Sequence, residues 1–446
     1  MALPNIVVIM VDDMRMDDLV AMPQTRQLVG AAAGLGATYP HSYASYSLCA
    51  PSRSTFLSGQ YAHNHGVSDN TEPDGGWQAF DDSDTLPIWL QQAGYQTVMI
   101  GKYLNQYGQT DLGNDPTYVP PGWDNWAGLV GGNWRNYRAF DINMNGTVHH
   151  VTNAYSTNNL TGRAKVQLNN RLPSGQPLFM LLAYVAPHTD GSNVRVPAAP
   201  KHEGESTAGP PDSAAFNEAD VDDKPQWIQD RSLLTQTNID KVVRLRRERR
   251  DALLSVDDAV VQIVATLEQH GELANTVLIF MSDNGYMLGE HRIRAGKNFP
   301  YEESAAVPLL IRGPGFPTGE LQRMVANVDV TATICDITGA SPAGHQLDGL
   351  SLLAPLPSGG RRAILLENTG AGANPPAFAG VRAGHWLFVD YGSVSELYDL
   401  DTDPDQTTNR SGDPALAQVE RRLSRTLDKL RHCSGDSCTV TWTNPT

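Results

Sequence analysis

Apolar residues fall into two kinds of pattern along this chain. Short continuous runs rich in β-branched residues lie at 5–11, 96–100, 178–185 and 276–282. Runs of this length without polar alternation predict strands covered on both faces, as in a parallel sheet. Between them lie stretches with helical spacing: 52–57, opened by Pro51, then 86–93 with Pro87 near its start, then 237–270 and 329–339. Strands alternating with helices predict an α/β fold on a large, mostly parallel sheet. Beyond about Gly360 the pattern changes to short strands at 363–366, 378–381, 386–391 and 396–400, followed by a helix at 414–430. That predicts a small antiparallel sheet with one packing helix, and so two units, 1–360 and 361–446. Residues 194–225, rich in Pro, Gly and acidic side chains without periodicity, read as a long surface excursion.

Chemistry-bearing residues stand where the strands end. The first strand runs into Asp12 and Asp13, and the strand at 276–282 into Asp283 and Asn284. Gly101 and Lys102 follow the strand at 96–100, and His188 follows the one at 178–185. Open α/β sheets bind ligands at the carboxyl ends of their strands, and paired carboxylates there are costly unless they face a cation. Taken singly, each has an ordinary reading as a solvated loop or surface residue. Asp12, Asp13, Asp283 and Asn284 are all oxygen donors, which suit Ca²⁺ better than the geometrically stricter Mg²⁺. Cys49 precedes a helix start, with Arg53 one turn on, so the positive helix end and the guanidinium both favour an anion there. A buried structural cysteine is the alternative. The run from Arg244 to Arg250 reads as a solvated helix face, with polyanion binding as the alternative. Trp123, Trp126 and Trp134 could stack on a sugar or anchor loops on the core.

Cys49-x-Pro51-Ser52-Arg53, followed by Ser58-Gly59 and the segment from Gln60 to Val67, resembles the signature of type I sulfatases, whose cysteine is oxidised to Cα-formylglycine. The likeness recurs at Asp12-Asp13, at Gly101 to Gly108, at Asp283-Asn284-Gly285 and along Gly289 to Pro308. It implies an alkaline-phosphatase-like α/β sandwich hydrolysing sulfuric esters. It implies calcium, or less favourably magnesium, held by Asp12, Asp13, Asp283, Asn284 and the formylglycine made from Cys49. A hydrated formylglycine held by Arg53 would attack sulfur, Lys102 and Lys297 would neutralise the sulfate, and Asp283 would take the first proton. His188 is the candidate to protonate the leaving oxygen, since an unperturbed imidazole titrates near neutrality. Asn105 and His291 are the expected substrate contacts. The implied partners are a sulfated carbohydrate or small sulfate ester and, during maturation, a formylglycine-generating enzyme.

The Gly101 to Gly108 stretch is nearest to glucosamine-6-sulfatases and heparan endosulfatases. Arylsulfatases commonly carry histidine where Leu104 stands, which tilts the expectation towards sulfated amino sugars. The long basic insertion of the endosulfatases is missing, so exo-type removal of a 6-sulfate from N-acetylglucosamine is expected. Glu290-His291 is closer to some bacterial sulfatases and to phosphonate hydrolases. It keeps a phosphonate monoester or phosphodiester hydrolase as the second reading, and a non-catalytic sulfated-glycan binder is the third.

Composition narrows this further. The 446 residues carry 33 Lys and Arg against 49 Asp and Glu, a net charge of −16, which argues against nucleic-acid binding and makes an anionic substrate depend on a local positive site. No apolar run is long enough to cross a membrane. A strand beginning at Asn5 leaves no room for a signal peptide in this sequence, and a secreted or periplasmic protein is expected, with a cytoplasmic one as the alternative. Cys433 and Cys438 flank a glycine-containing turn and could close a small disulfide loop or stand as two unrelated thiols. Cys335, in an apolar stretch, is expected in the core.

Overall fold

Asn5–Val11 is a strand buried along its whole length, flanked in parallel by Thr276–Ser282 on one side and Leu178–Ala183 on the other. The computed structural model describes residues 3–192, 194–356, 361–370 and 375–443. Within them ten strands form one sheet, in spatial order Gly319–Glu320, Ala37–Thr38, Leu309–Arg312, Thr276–Ser282, Asn5–Val11, Leu178–Ala183, Gln96–Gly101, Asn125–Val130, Ala139–Met144 and Thr147–Thr152. The five strands from Thr276–Ser282 to Asn125–Val130 are parallel, as the unbroken apolar runs require.

Alternate residues of the central strand feed two helical layers. Val7, Ile9 and Val11 pack with Leu160, Ala164 and Leu168 of helix Ser156–Arg171 and with the apolar stripe of the long helix Gln236–Gln269. Ile6, Val8 and Met10 pack with the helices Cys49–Ser58, Leu86–Gln92 and Asn327–Thr338. All ten residues of Cys49–Ser58 are buried, and the helix ends at Gly59 in the left-handed conformation (φ +68°). Cys335 lies in the second of these cores, as expected.

The small antiparallel sheet orders Ser395–Asp399, Trp386–Asp390, Phe378–Ala383, Arg361–Asn368 and Thr441–Trp442, and helix Ala417–Leu430 packs on it through Leu423, Leu427 and Leu430. The expected boundary at 360/361 falls against residues 357–360, outside the described residues. The small sheet shares its core with Tyr43, Tyr61, Tyr301 and Val328 of the preceding chain. One polar tie crosses the same seam. Buried Arg362 pairs with Asp329, whose other bonds are to the amides of Ala326 (2.9 Å) and Leu350 (2.8 Å) at the start of helix Asn327–Thr338. Arg362→Ala is expected to destabilise the protein by about 3–5 kcal/mol, because it strands a buried carboxylate. Urea unfolding measures it, and a loss under about 1 kcal/mol would show that the pair does not hold the seam.

Two expectations change. A strand not expected, Asn125–Val130, carries Trp126, and Trp123 and Trp126 are core anchors and not sugar-stacking rings. The arginine run is not a solvated face: Arg249 is fully buried, Arg246 nearly so, and Arg246, Arg249 and Arg250 meet Asp17 and Asp18. Three positive charges on one side of a helix are stable there because the acidic turn Met16–Ala21 faces them.

Candidate active site

The central strands deliver their terminal residues to one buried point. Asp12 and Asp13 leave the Asn5 strand, and Asp283 and Asn284 leave its parallel neighbour. Asp13 adopts φ +71°, a conformation held by its amide donating to Asp283 Oδ1 (3.0 Å) and by Asn284 Nδ2 donating to Asp13 Oδ1 (2.7 Å). Lys102 arrives through Gly101, whose φ is +113° and where a Cβ would fall 1.9 Å from the Ala183 carbonyl oxygen, so only glycine fits.

Cys49 Sγ sits among these groups, fully buried. It lies 2.7 Å from Lys297 Nζ, 3.3 Å from Asp12 Oδ1 and 3.9 Å from Asp13 Oδ1. Lys102 Nζ meets Asp12 Oδ2, and Lys297 Nζ also meets Asp13 Oδ1. Arg53 Nε donates to Asp283 Oδ2 (2.8 Å) and its Nη1 to the Lys102 carbonyl (2.8 Å), which ties the Cys49 helix to two strand ends. Its Nη2 lies 3.7 Å from Asp12 Oδ2. His188 donates from Nδ1 to the Thr189 carbonyl (2.6 Å), leaving Nε2 facing Asp13 Oδ2 at 3.7 Å.

Burial works against ionised carboxylates here, yet Lys102, His188, Arg53 and Lys297 hold Asp12 well below the usual range, and Lys297 and His188 lower Asp13. Burial and the Asp12 charge push Asp283 up to about 6 against the pull of Arg53. Burial, then Asp12, pushes the Cys49 thiol up to about 12. Burial pushes His188 down to about 4 despite the two aspartates. Three carboxylates therefore face three cations, Arg53, Lys102 and Lys297.

Ligand atoms of Asp12, Asp13, Cys49 and His188 all lie within 4.8 Å of one another, so this group could hold a metal ion. Two of its four members are carboxylates, and beside them Asn284 Oδ1 is buried without a hydrogen-bond partner, so oxygen donors for a hard cation are at hand.

Among the described residues Asn105 and His291 make no hydrogen bond or ion pair with this cluster. The carbonyl of Asn105 accepts from the Trp77 amide (2.8 Å), while its Oδ1 is buried without a partner. His291 is fully buried, with Nδ1 bonded to Glu218 (2.7 Å) and its ring against Tyr301. Glu290 pairs with Arg15 at 2.7 Å. Asp283, the expected proton acceptor, has its oxygens committed to Arg53 and to the Asp13 and Asn284 amides, so Asp12 Oδ1 is the carboxylate oxygen nearest Sγ.

Sequence reasoning passed over Arg249, which donates to the Asp13 carbonyl and, from Nη1, to the Pro187 carbonyl (3.2 Å), joining the aspartates to the His188 loop. The signal was present: Val242, Leu245, Arg249, Ala252 and Val256 share one helical stripe, so an arginine lies among core positions. Trp134 is neither a plain core anchor nor free for a sugar. The Lys102 ammonium lies 4.3 Å from its ring centroid, and the His188 ring packs against it edge-on at 5.2 Å.

Three cations and three carboxylates meet at one buried point at the carboxyl edge of a parallel sheet, beside a helix N-terminus, the setting of a site for an anionic ligand. The chain belongs to the sulfatase family, whose model, described as Sulfatase, matches residues 4–340; a second, described as N-sulphoglucosamine sulphohydrolase, C-terminal, matches 289–433. It is a sulfatase, a hydrolase of sulfuric esters. N-acetylglucosamine-6-sulfatase of Homo sapiens is 32% identical over 98% of this chain and 86% of its own length. A protein solved in complex with its substrate D-glucosamine-2-N,6-O-disulfate superposes with a TM-score of 0.80 over 96% of this chain and 97% of its own, at 24% identity. The phosphonate monoester hydrolase of Agrobacterium radiobacter superposes with a TM-score of 0.70 over 96% and 95%, at 22% identity. Both structural likenesses show the alkaline-phosphatase-like fold. Among the described residues no helix is long and apolar enough to cross a membrane.

Proposed function

We propose that this sulfatase removes the 6-sulfate from terminal N-acetylglucosamine-type units. In this reading Cys49 is converted to formylglycine by a formylglycine-generating enzyme, and Asp12, Asp13, Asp283, Asn284 and position 49 hold a calcium ion. The observation that carries it is the meeting of Lys297, Asp12 and Asp13 at the Cys49 side chain, in a chain 32% identical to a 6-sulfatase over 98% of its length. The converted side chain would supply a hydrated nucleophile, and the calcium ion positive charge on the sulfate oxygens. Lys102 and Lys297 neutralise the remaining charge on sulfate as the bond to the sugar breaks. Arg53, locked between Asp283 and the Lys102 carbonyl, fixes the direction of position 49. The first proton goes to Asp12, where geometry outweighs basicity. His188 is neutral when its surroundings hold it near 4; the negative charge of an arriving sulfate ester raises its pKa, so it takes up a proton with the substrate and returns it to the leaving oxygen.

The Cys433–Cys438 disulfide supports an oxidising compartment, hence a secreted or periplasmic protein. The division into a catalytic unit 1–360 and a C-terminal subdomain 361–446 is part of the same reading. The test is a panel of monosaccharide sulfates differing in sugar and sulfate position, assayed for released sulfate. N-acetylglucosamine-6-sulfate is expected to be turned over fastest. A preference for 2-O- or 4-O-sulfate would overturn the substrate.

A further inference from the structure

Arg244, an exposed member of the basic run with no part in the chemistry above, lines a cavity of about 230 Å³. Lys241 and Arg244, on the long helix, and Arg294, on the loop that carries Lys297, form its charged rim, and Val242, Leu245 and Ala295 form its floor. All three cations are exposed. Among the described residues Lys241 and Arg294 have no ion pair. Arg244 reaches only Glu248 at 3.8 Å, a carboxylate already held by Arg195 at 2.6 Å. On a chain of net charge −16, three exposed cations that line one small groove make a local positive site.

The groove is next to the reaction centre by connectivity. Arg294 precedes Lys297 by three residues, so their Cα atoms are at most about 11 Å apart. The opposite wall, Val194, belongs to the loop that begins at His188 and is turned back by the Asp190 amide bonding the Arg195 carbonyl (2.8 Å). The amide of Val196 then anchors that loop to Glu248 of the long helix (3.0 Å). Both walls are continuous with residues of the active site.

We propose that this groove is an accessory subsite for an anionic sugar residue of an extended substrate, taking a sulfate or carboxylate group on a unit adjacent to the one being desulfated. It rests on the sulfated-sugar reading above and deepens it: the terminal unit is cleaved at Cys49 while its neighbour is held by charge. Three solvated cations give a salt-sensitive contact.

The test compares the wild type with a Lys241→Gln/Arg294→Gln double variant, both exposed positions outside the catalytic cluster. Two probes are used, N-acetylglucosamine-6-sulfate and a heparin-type sulfated hexasaccharide, with hexasaccharide binding followed by calorimetry in a Cys49→Ala background. At low salt the hexasaccharide affinity is expected to fall roughly tenfold, as two exposed ion pairs at their upper range allow, and the difference to close at high salt. Monosaccharide kcat and KM are expected to stay within about twofold, as for surface changes away from the chemistry. Unchanged hexasaccharide affinity, or an equal loss on the monosaccharide, overturns the subsite. Sulfate release by the wild type is a separate readout: its absence from both sugars removes the proposed substrate, whereas the subsite stands or falls on the affinity change.

Discussion

Cys49→Ala is expected to lower sulfate release by about four orders of magnitude or more, the scale seen when a covalent nucleophile is removed. Cys49 touches two carboxylates and Lys297, and among the described residues it is the one thiol at the buried point. The fold should survive. Losing one sulfur from a polar pocket costs at most about 2 kcal/mol, below the range for emptying a large apolar site. Released sulfate and thermal unfolding, measured together, check both halves, and near-normal activity in the variant would end the nucleophile assignment. Mass analysis of the tryptic peptide ending at Arg53 reports directly whether the wild-type cysteine carries an aldehyde.

Chelation of divalent cations is expected to abolish sulfate release reversibly, with calcium restoring it and magnesium restoring less. The cluster's charges explain the size of the effect. Asp12, Asp13 and Asp283 balance Arg53, Lys102 and Lys297, so a divalent cation shifts the site to a net +2, matched to an incoming anion. The cation and the two ammonium groups compete for the same carboxylate oxygens, which turns the lysines towards a sulfate. Because calcium would bind the folded chain and not the unfolded one, a concentration 100 times Kd should add about 2.7 kcal/mol of stability. A melting temperature unmoved by calcium, with activity unmoved by chelator, would dismiss the metal.

The parts legible in the sequence were those where one physical signal dominates. Asn5–Val11 and Thr276–Ser282 appear to the residue because strands covered on both faces leave no polar positions. Helix Ser156–Arg171 was not legible: its buried apolar residues are only Leu160, Ala164 and Leu168, among asparagines, glutamines and arginines. The hairpin Ala139–Met144/Thr147–Thr152 was missed for a similar reason, since its outer strand is largely exposed and shows no apolar alternation. Its turn did carry a signal, Asn145-Gly146, both at positive φ (+50° and +91°). In the site, Lys102, His188 and the four metal-type donors come from strand ends, and Cys49 and Arg53 from the helix their motif opens. The surroundings depend on tertiary approach, which spacing does not encode. Arg249 bonding the Asp13 carbonyl, Trp134 between Lys102 and His188, and Glu218 claiming His291 are all of this kind.

The register of the central strand also sets an order of events during synthesis. Asn5 pairs with Thr276, so one flank of the first strand stays open until a partner more than half a chain away is made, and Asp283, which fixes Arg53, emerges only after it. At typical translation speeds that interval is on the order of tens of seconds. Once the sheet closes, all ten residues of Cys49–Ser58 are buried and an enzyme has no path to the thiol. Any modification of Cys49 is thus a race between a catalyst and the ribosome, won only while the nascent chain is still open.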